Sequence, residues 1–152
     1  MAKEIEKKFL MIGSPPVPYA NPKLIKQGYI FTEKGKHLRI RLCEGKAILG
    51  LKYTTGPVRD EYEYEISMAD GLEIYSKCES SLEKVRFTMN INDEHYDIDT
   101  FPNKVEFVEV EFESEEASNN WVKPDWIGEE ITNDAKYSNI ALAQQNLKFK
   151  DE

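Results

Sequence analysis

Residues 1–8 read Met1-Ala2-Lys3-Glu4-Ile5-Glu6-Lys7-Lys8, and the reading of this stretch decides the fold. On a β-strand successive side chains alternate faces. Glu4, Glu6 and Lys8 then share one face, while Ile5 and Phe9 share the other. Two carboxylates and an ammonium in register are odd for a lone strand. The same layout returns along the chain, with the sign of the charge sorted by strand.

Working outward, residues 3–12 form the first expected strand, and a loop carrying Gly13-Ser14-Pro15-Pro16 and Asn21-Pro22 follows. Further strands are expected over 24–32, 37–43, 47–53, 59–66, 82–90, 94–101 and 105–113. Arg39 and Arg41 alternate with Leu38, Ile40 and Leu42; Lys84 and Arg86 alternate with Val85 and Phe87. Glu61 and Glu63 oppose Tyr62 and Tyr64, Asp97 and Asp99 oppose Tyr96 and Ile98, and Glu109 and Glu111 oppose Val108, Val110 and Phe112. Helices are expected over 67–78, with Ser67 as N-cap, over 114–122, and over 138–147. About eight strands on short turns, without a βαβ rhythm, predict a mainly β (α+β) fold built as an antiparallel sheet or closed barrel.

The totals narrow the function. A chain of 152 residues is expected to be one domain, 1–152, with a real core. No apolar run of 18 residues exists, so no membrane-spanning helix is expected. With no apolar leader, Cys43 and Cys78 are expected to be reduced thiols in a cytoplasmic protein. A net charge of −8 argues against a duplex nucleic acid or an anionic membrane as partner. A small polyanion held by a local basic cluster is compatible with it. His37 and His95 lie in no His-Glu-x-x-His pattern, the cysteines lack zinc spacing, and no phosphate-binding glycine loop is present. His37 is read as a turn residue.

The charged faces could be the wet outside of a sheet, with cross-strand pairs worth a few tenths of a kcal/mol each. Same-sign pairing within strands and apolar opposite faces favour the reverse: apolar side outward under helices, charged side lining a lumen. An eight-stranded barrel has room for one small ligand. Arginine and lysine satisfy phosphate oxygens, and crowded carboxylates are relieved by a hard divalent cation. Such a lumen suits a phosphate chain with metal.

Glu4-Ile5-Glu6-Lys7-Lys8 matches a Glu-x-Glu-x-Lys signature. Similarity continues in order through Gln27-Gly28-Tyr29, Leu38-Arg39-Ile40-Arg41, Leu51-Lys52, Arg59-Asp60-Glu61-Tyr62-Glu63, Glu83-Lys84-Val85-Arg86, Ile98-Asp99 and Val108-Glu109-Val110-Glu111-Phe112. It ends in Gly128-Glu129-Glu130-Ile131-Thr132 and Lys136-Tyr137-Ser138-Asn139. In these segments the chain resembles the CYTH superfamily, the triphosphate tunnel metalloenzymes.

The resemblance implies an eight-stranded antiparallel closed β-barrel, a tunnel with a few flanking helices, that binds triphosphates with Mg2+ or Mn2+. It implies Glu4, Glu6, Asp99, Glu109 and Glu111 as metal ligands. Lys8, Arg39, Arg41, Lys52, Arg59, Lys84 and Arg86 correspond to the phosphate cradle. Lys84 and Tyr29 are implied to assist water attack or leaving-group protonation, and Glu61 and Glu63 to orient cations or a water. The chain most resembles the small bacterial members, which implies metal-dependent hydrolysis of inorganic tripolyphosphate, or of a nucleoside triphosphate, by in-line water attack. A class IV-type adenylate cyclase is the alternative, set lower because only Met1-Ala2-Lys3 precedes Glu4 where cyclases carry a His-Phe pair. A non-catalytic polyphosphate- or nucleotide-binding module is an alternative of another class. A closed barrel exposes no sheet edge, so a monomer or weak homodimer is expected.

Overall fold

The computed structural model describes residues 2–54 and 58–149, and only the backbone of Ala2, Lys3, Glu4 and Val58. Its wall is made by β1 (Ala2–Met11), β2 (Lys23–Glu33), β3 (Lys36–Cys43), β4 (Lys46–Tyr53), β5 (Val58–Ile66), β6 (Ser80–Ile91), β7 (Glu94–Thr100) and β8 (Glu106–Glu111). These strands neighbour one another in the order β5-β4-β3-β2-β6-β7-β8-β1, every pairing antiparallel. Residues 2–5 of β1 also pair with 58–61 of β5, so the two ends of the curled sheet meet and the sheet becomes a tunnel.

Two tight hairpins support that curl. Glu44 and Gly45 both have positive φ between β3 and β4, and so do Asn92 and Asp93 between β6 and β7. Paired positive φ values make turns whose twist matches that of the flanking strands.

The expected division of faces holds. Outside the wall, Phe9, Met89, Tyr96, Ile98, Val108, Val110, Phe112 and Ile127 form one buried cluster, against which Trp121 and Trp126 pack. Ile40, Leu42 and Ala47 form a second, covered by α1 (Met68–Lys77) through Ile74 and Tyr75. Ser67 caps α1 by accepting from the Asp70 N–H, and Ser114 caps α2 (Glu115–Asn120) by accepting from Ala117. Each large buried side chain contributes about 1.5–3 kcal/mol, so these two clusters make the outer face a major source of apolar stabilisation.

A third cluster lies on the inner face. Leu82 shares its strand face with Lys84, Phe107 with Glu109, and Leu10 with Lys8, because each pair is two residues apart. Tyr29, Leu82, Phe101, Phe107, Ile131 and Leu142 bury one another there. Leu142 belongs to α3 (Asn139–Ala143), which fills that end of the tunnel. The helix is shorter than the expected 138–147; Asn146 takes φ 52°, and the chain then turns back so that Glu83 N donates to Leu147 O.

One strand was not expected. β9 (Ile127–Glu130) pairs with β1 beyond the point where β5 leaves it, Phe9 opposite Glu130 and Met11 opposite Ile127. Four residues around a glycine carry no alternation of their own, so the free edge of β1 makes them a strand. No helix among the described residues is long and apolar enough to cross a membrane, and Cys43 and Cys78 are unpaired thiols.

Candidate active site

The inner faces enclose a cavity of about 720 Å³. Lys8, Arg39, Arg41, Lys52, Arg59, Lys84 and Arg86 all line it, and so do Tyr29, Glu6, Glu61, Glu63, Glu109 and Glu111. Period-two alternation on seven different strands thus delivers the expected side chains to one space. The Glu4 side chain lies outside the described residues; its backbone is opposite Arg59.

Asp99, expected among the metal ligands, sits deeper than Glu6, Glu109 and Glu111. It is 1% exposed and is absent from the cavity wall. Its Oδ2 accepts from Lys84 Nζ at 2.8 Å and Arg86 Nη2 at 2.9 Å, and its Oδ1 from Arg86 Nε at 2.8 Å. A carboxylate so placed is a counter-ion to both cations. Asp97, two residues earlier on the same face, does line the cavity, 3.5 Å from Arg86 Nη1. His37 falls within β3, as the expected strand 37–43 requires, but it is buried in the cavity wall, so its reading as a turn residue does not hold.

The cations fall into two sets. Arg39 pairs with Glu61 at 3.3 Å, Arg59 with Glu6 at 3.3 Å, and Lys52 lies 3.7–3.8 Å from Glu61 and Glu6. These are held in place by carboxylates. Arg41 differs: its Nε and Nη2 both donate to the neutral Gln27 Oε1, at 3.0 and 2.9 Å. Among the described residues no carboxylate pairs with it. Burial and the neighbouring Arg39 and Arg86 bring its pKa down to about 10. It is a half-buried cation bonded to a neutral amide, a strong attractor for an anion.

Lys84 is 1% exposed and donates to Asn139 Oδ1 at 3.0 Å as well as to Asp99. Burial lowers its pKa to about 7; Asp99 opposes this, but Arg86 and Arg41 reinforce it. Asp99 stays ionised because Arg86 and Lys84 together outweigh its desolvation. Burial raises the Glu109 pKa, yet Arg86, Lys8 and Lys84 prevail and hold it at about 2. Lys8 Nζ donates to Tyr137 O at 2.6 Å and lies 4.6 Å from the Phe107 ring centroid, and burial lowers its pKa. Gln27 Nε2 donates to Tyr29 Oη at 2.7 Å, which leaves the phenolic proton for a ligand.

Several members of this wall escaped sequence reading. Gln27 orients both Arg41 and Tyr29, Asn139 holds Lys84, and Thr132 accepts from Lys8 N through Oγ1 and from Arg59 Nη2 through its carbonyl. Gln27 and Asn139 stand inside matched segments, but nothing local marks them as partners of distant cations.

The residues fit a hard divalent cation. Glu6 on β1 is directly opposite Glu111 on β8, with Glu109 one step along the same face. Like charges placed opposite repel, and an oxygen-preferring cation between them removes that cost. Among the described residues no three Asp, Glu, His or Cys side chains already form a metal site.

The chain is similar to known proteins over nearly its whole length. An inorganic triphosphatase of Acetivibrio thermocellus is 39% identical over 158 residues, covering 99% of this chain and all of that one. An inorganic triphosphatase of Nitrosomonas europaea is 35% identical over 147 residues, covering 92% and 96%. A solved structure described as an inorganic triphosphatase superposes with a TM-score of 0.67 at 31% identity, covering 95% of this chain and 96% of that one. The CYTH domain model matches residues 2–145, and the chain belongs to the CYTH domain family.

Proposed function

We propose that this chain hydrolyses inorganic tripolyphosphate, with nucleoside triphosphates as the neighbouring substrate class, by in-line attack of water inside the tunnel. One observation carries the reading. Arg41, Lys84 and Arg86 share a single cavity with carboxylates Glu6, Glu109 and Glu111 on facing strands. The relatives named inorganic triphosphatase support it over nearly the full length of the chain.

The cations neutralise and align the phosphate chain, since phosphoryl transfer depends mainly on positioning and charge stabilisation. Arg41 takes phosphate oxygens in place of its neutral partner, and Arg39, Lys52 and Arg59 are pre-oriented by Glu61 and Glu6. Glu6, Glu109, Glu111 and Asp97, with Glu4 beside them in sequence, would hold Mg2+ or Mn2+. When bound, that ion supplies Lewis-acid polarisation of a phosphoryl oxygen. Glu63 orients cations or water from the acidic strand. Lys84, with a proton easily lost near neutrality, moves a proton at the reacting oxygen, and the Tyr29 hydroxyl donates to the substrate.

Phosphate release from tripolyphosphate with Mg2+ tests this directly. Chelation should abolish turnover, and Glu6→Ala should lower it by orders of magnitude; full turnover in the folded variant refutes the reading. ATP separates hydrolysis from cyclisation by whether phosphate or cyclic AMP and pyrophosphate appear. Tripolyphosphate at 100 times its Kd should stabilise the fold by about 2.7 kcal/mol. Metal-dependent stabilisation without turnover would instead identify a binding module.

A further inference from the structure

His37 has a buried nitrogen with nothing to bond to. The residue is 7% exposed, yet it lines the cavity, and its Nε2 has no hydrogen-bond partner among the described residues. Its ring is fixed on two sides. It stands edge-on to Tyr29 with centroids 5.4 Å apart, and its backbone is opposite Lys52 on β4 and Thr32 on β2. An orphaned buried donor or acceptor costs about 1–3 kcal/mol, and one that lines a cavity has a ligand, a water or an ion as its natural partner. A leucine would fill this space without that cost.

The neighbours define what the missing partner is. Burial, then Arg39, Lys52 and Arg59, hold the His37 pKa down to about 3. The ring is therefore neutral at pH 7 and stands among cations. Lys34 and Gly35 of the adjacent turn line the same cavity. A ligand entering this corner is an anion, and phosphate oxygens accept hydrogen bonds. Only the Nε2–H tautomer satisfies both.

We propose that His37 is a further substrate-contacting residue, whose Nε2–H donates to a phosphoryl oxygen of the polyphosphate at the Lys34–Lys52 corner of the tunnel. This rests on the triphosphate reading above and deepens it: the phosphate chain extends past Arg41 and Arg39 to β3's first turn. A neutral directional donor there adds binding without adding charge, so it acts on ground state and transition state alike.

The test compares wild type with His37→Leu and His37→Asn. For both variants the KM for tripolyphosphate should rise about tenfold, the scale of a hydrogen bond to a charged group, with kcat changed less than twofold. The Kd of an imido-bridged tripolyphosphate analogue with Mg2+ should rise by the same factor. Without ligand His37→Leu should melt no lower than wild type, because it removes the orphaned atom. A readout in the unaltered protein accompanies these. With two histidines in the chain, the His37 Nε2 resonance is identified by its persistence in His95→Gln and should shift when the analogue binds. Unchanged KM and Kd, or a His37 resonance that ignores the bound analogue, overturns the proposal alone. A wild type that neither binds the analogue nor hydrolyses tripolyphosphate overturns the triphosphate reading, and this proposal with it.

Discussion

Arg86 grips Asp99 through two parallel hydrogen bonds, Nε to Oδ1 at 2.8 Å and Nη2 to Oδ2 at 2.9 Å, on a carboxylate that is 1% exposed. Lys84 completes the group from the same strand as Arg86. Asp99 is thus shared by two cations, while Arg86 also reaches Asp97 at 3.5 Å and Glu109 at 3.7 Å. Removing one partner from such a pair leaves uncompensated charge in a low dielectric, typically a loss of 3–5 kcal/mol. Asp99→Ala is expected to lose about that much in urea unfolding. Glu111→Gln, on a side chain 56% exposed, should change stability by less than about 0.5 kcal/mol and still lose turnover. Equal stability of the two variants would contradict the counter-ion role.

Arg41 predicts the opposite separation. Its guanidinium is half-buried against a neutral amide, so in the absence of ligand Arg41→Met should cost no more than about 1–3 kcal/mol, the scale of leaving the Gln27 amide oxygen unpaired. kcat/KM for tripolyphosphate should nonetheless fall about 10²–10³-fold, the range for loss of one preorganised charge-stabilising donor. A fall of less than tenfold in steady-state assays would show that Arg41 is not a principal phosphate ligand.

Lys84 links stability to pH. Its pKa is lowered in the fold to about 7 from 10.5, chiefly by burial. Below pH 7 the folded and unfolded chains both carry the proton, and the cost of burying the ammonium is fully present. Between pH 7 and 10.5 the unfolded chain keeps a proton that the folded chain has lost, so stability rises with pH in that window. Lys84→Met lacks this rise. The unfolding free energy of the variant minus that of wild type should fall from pH 7 to pH 10, and a flat difference would contradict the shift.

Gly71 tests the packing of α1 on the wall. Exposed glycine-to-alanine changes in helices gain up to about 1 kcal/mol. Here an added Cβ would collide with Ala47 Cβ and stand 3.2 Å from Leu42 Cδ2. Overpacking costs about 1–3 kcal/mol and should win, so Gly71→Ala is expected to lower the melting temperature. Ala47→Gly in the same chain should restore part of the loss; no recovery would place the cost elsewhere.

Much of this was legible because alternation is local. Glu6 and Lys8, Arg39 and Arg41, Lys84 and Arg86, and Glu109 and Glu111 each had to share a face once their segments were strands. The capping serine Ser67 was legible for the same reason, since a cap is settled within three residues. β9 and the early end of α3 were not, because a partner strand and a returning chain impose them.

The sequence by itself determined that this chain has one charged and one apolar face on successive strands, hence a sheet that curls its charge inward. Only the tertiary structure decided what each charge does. Asp97 and Asp99 have the same parity, yet one faces the cavity and the other is consumed by Lys84 and Arg86. His37 gained its place through Tyr29 and Lys52, and Lys84 its low pKa through Arg41, Asp99 and burial. Parity fixes the face a side chain takes, whereas its neighbours there are set by cross-strand register and by solvent exclusion, and both of those arise only when distant segments pair.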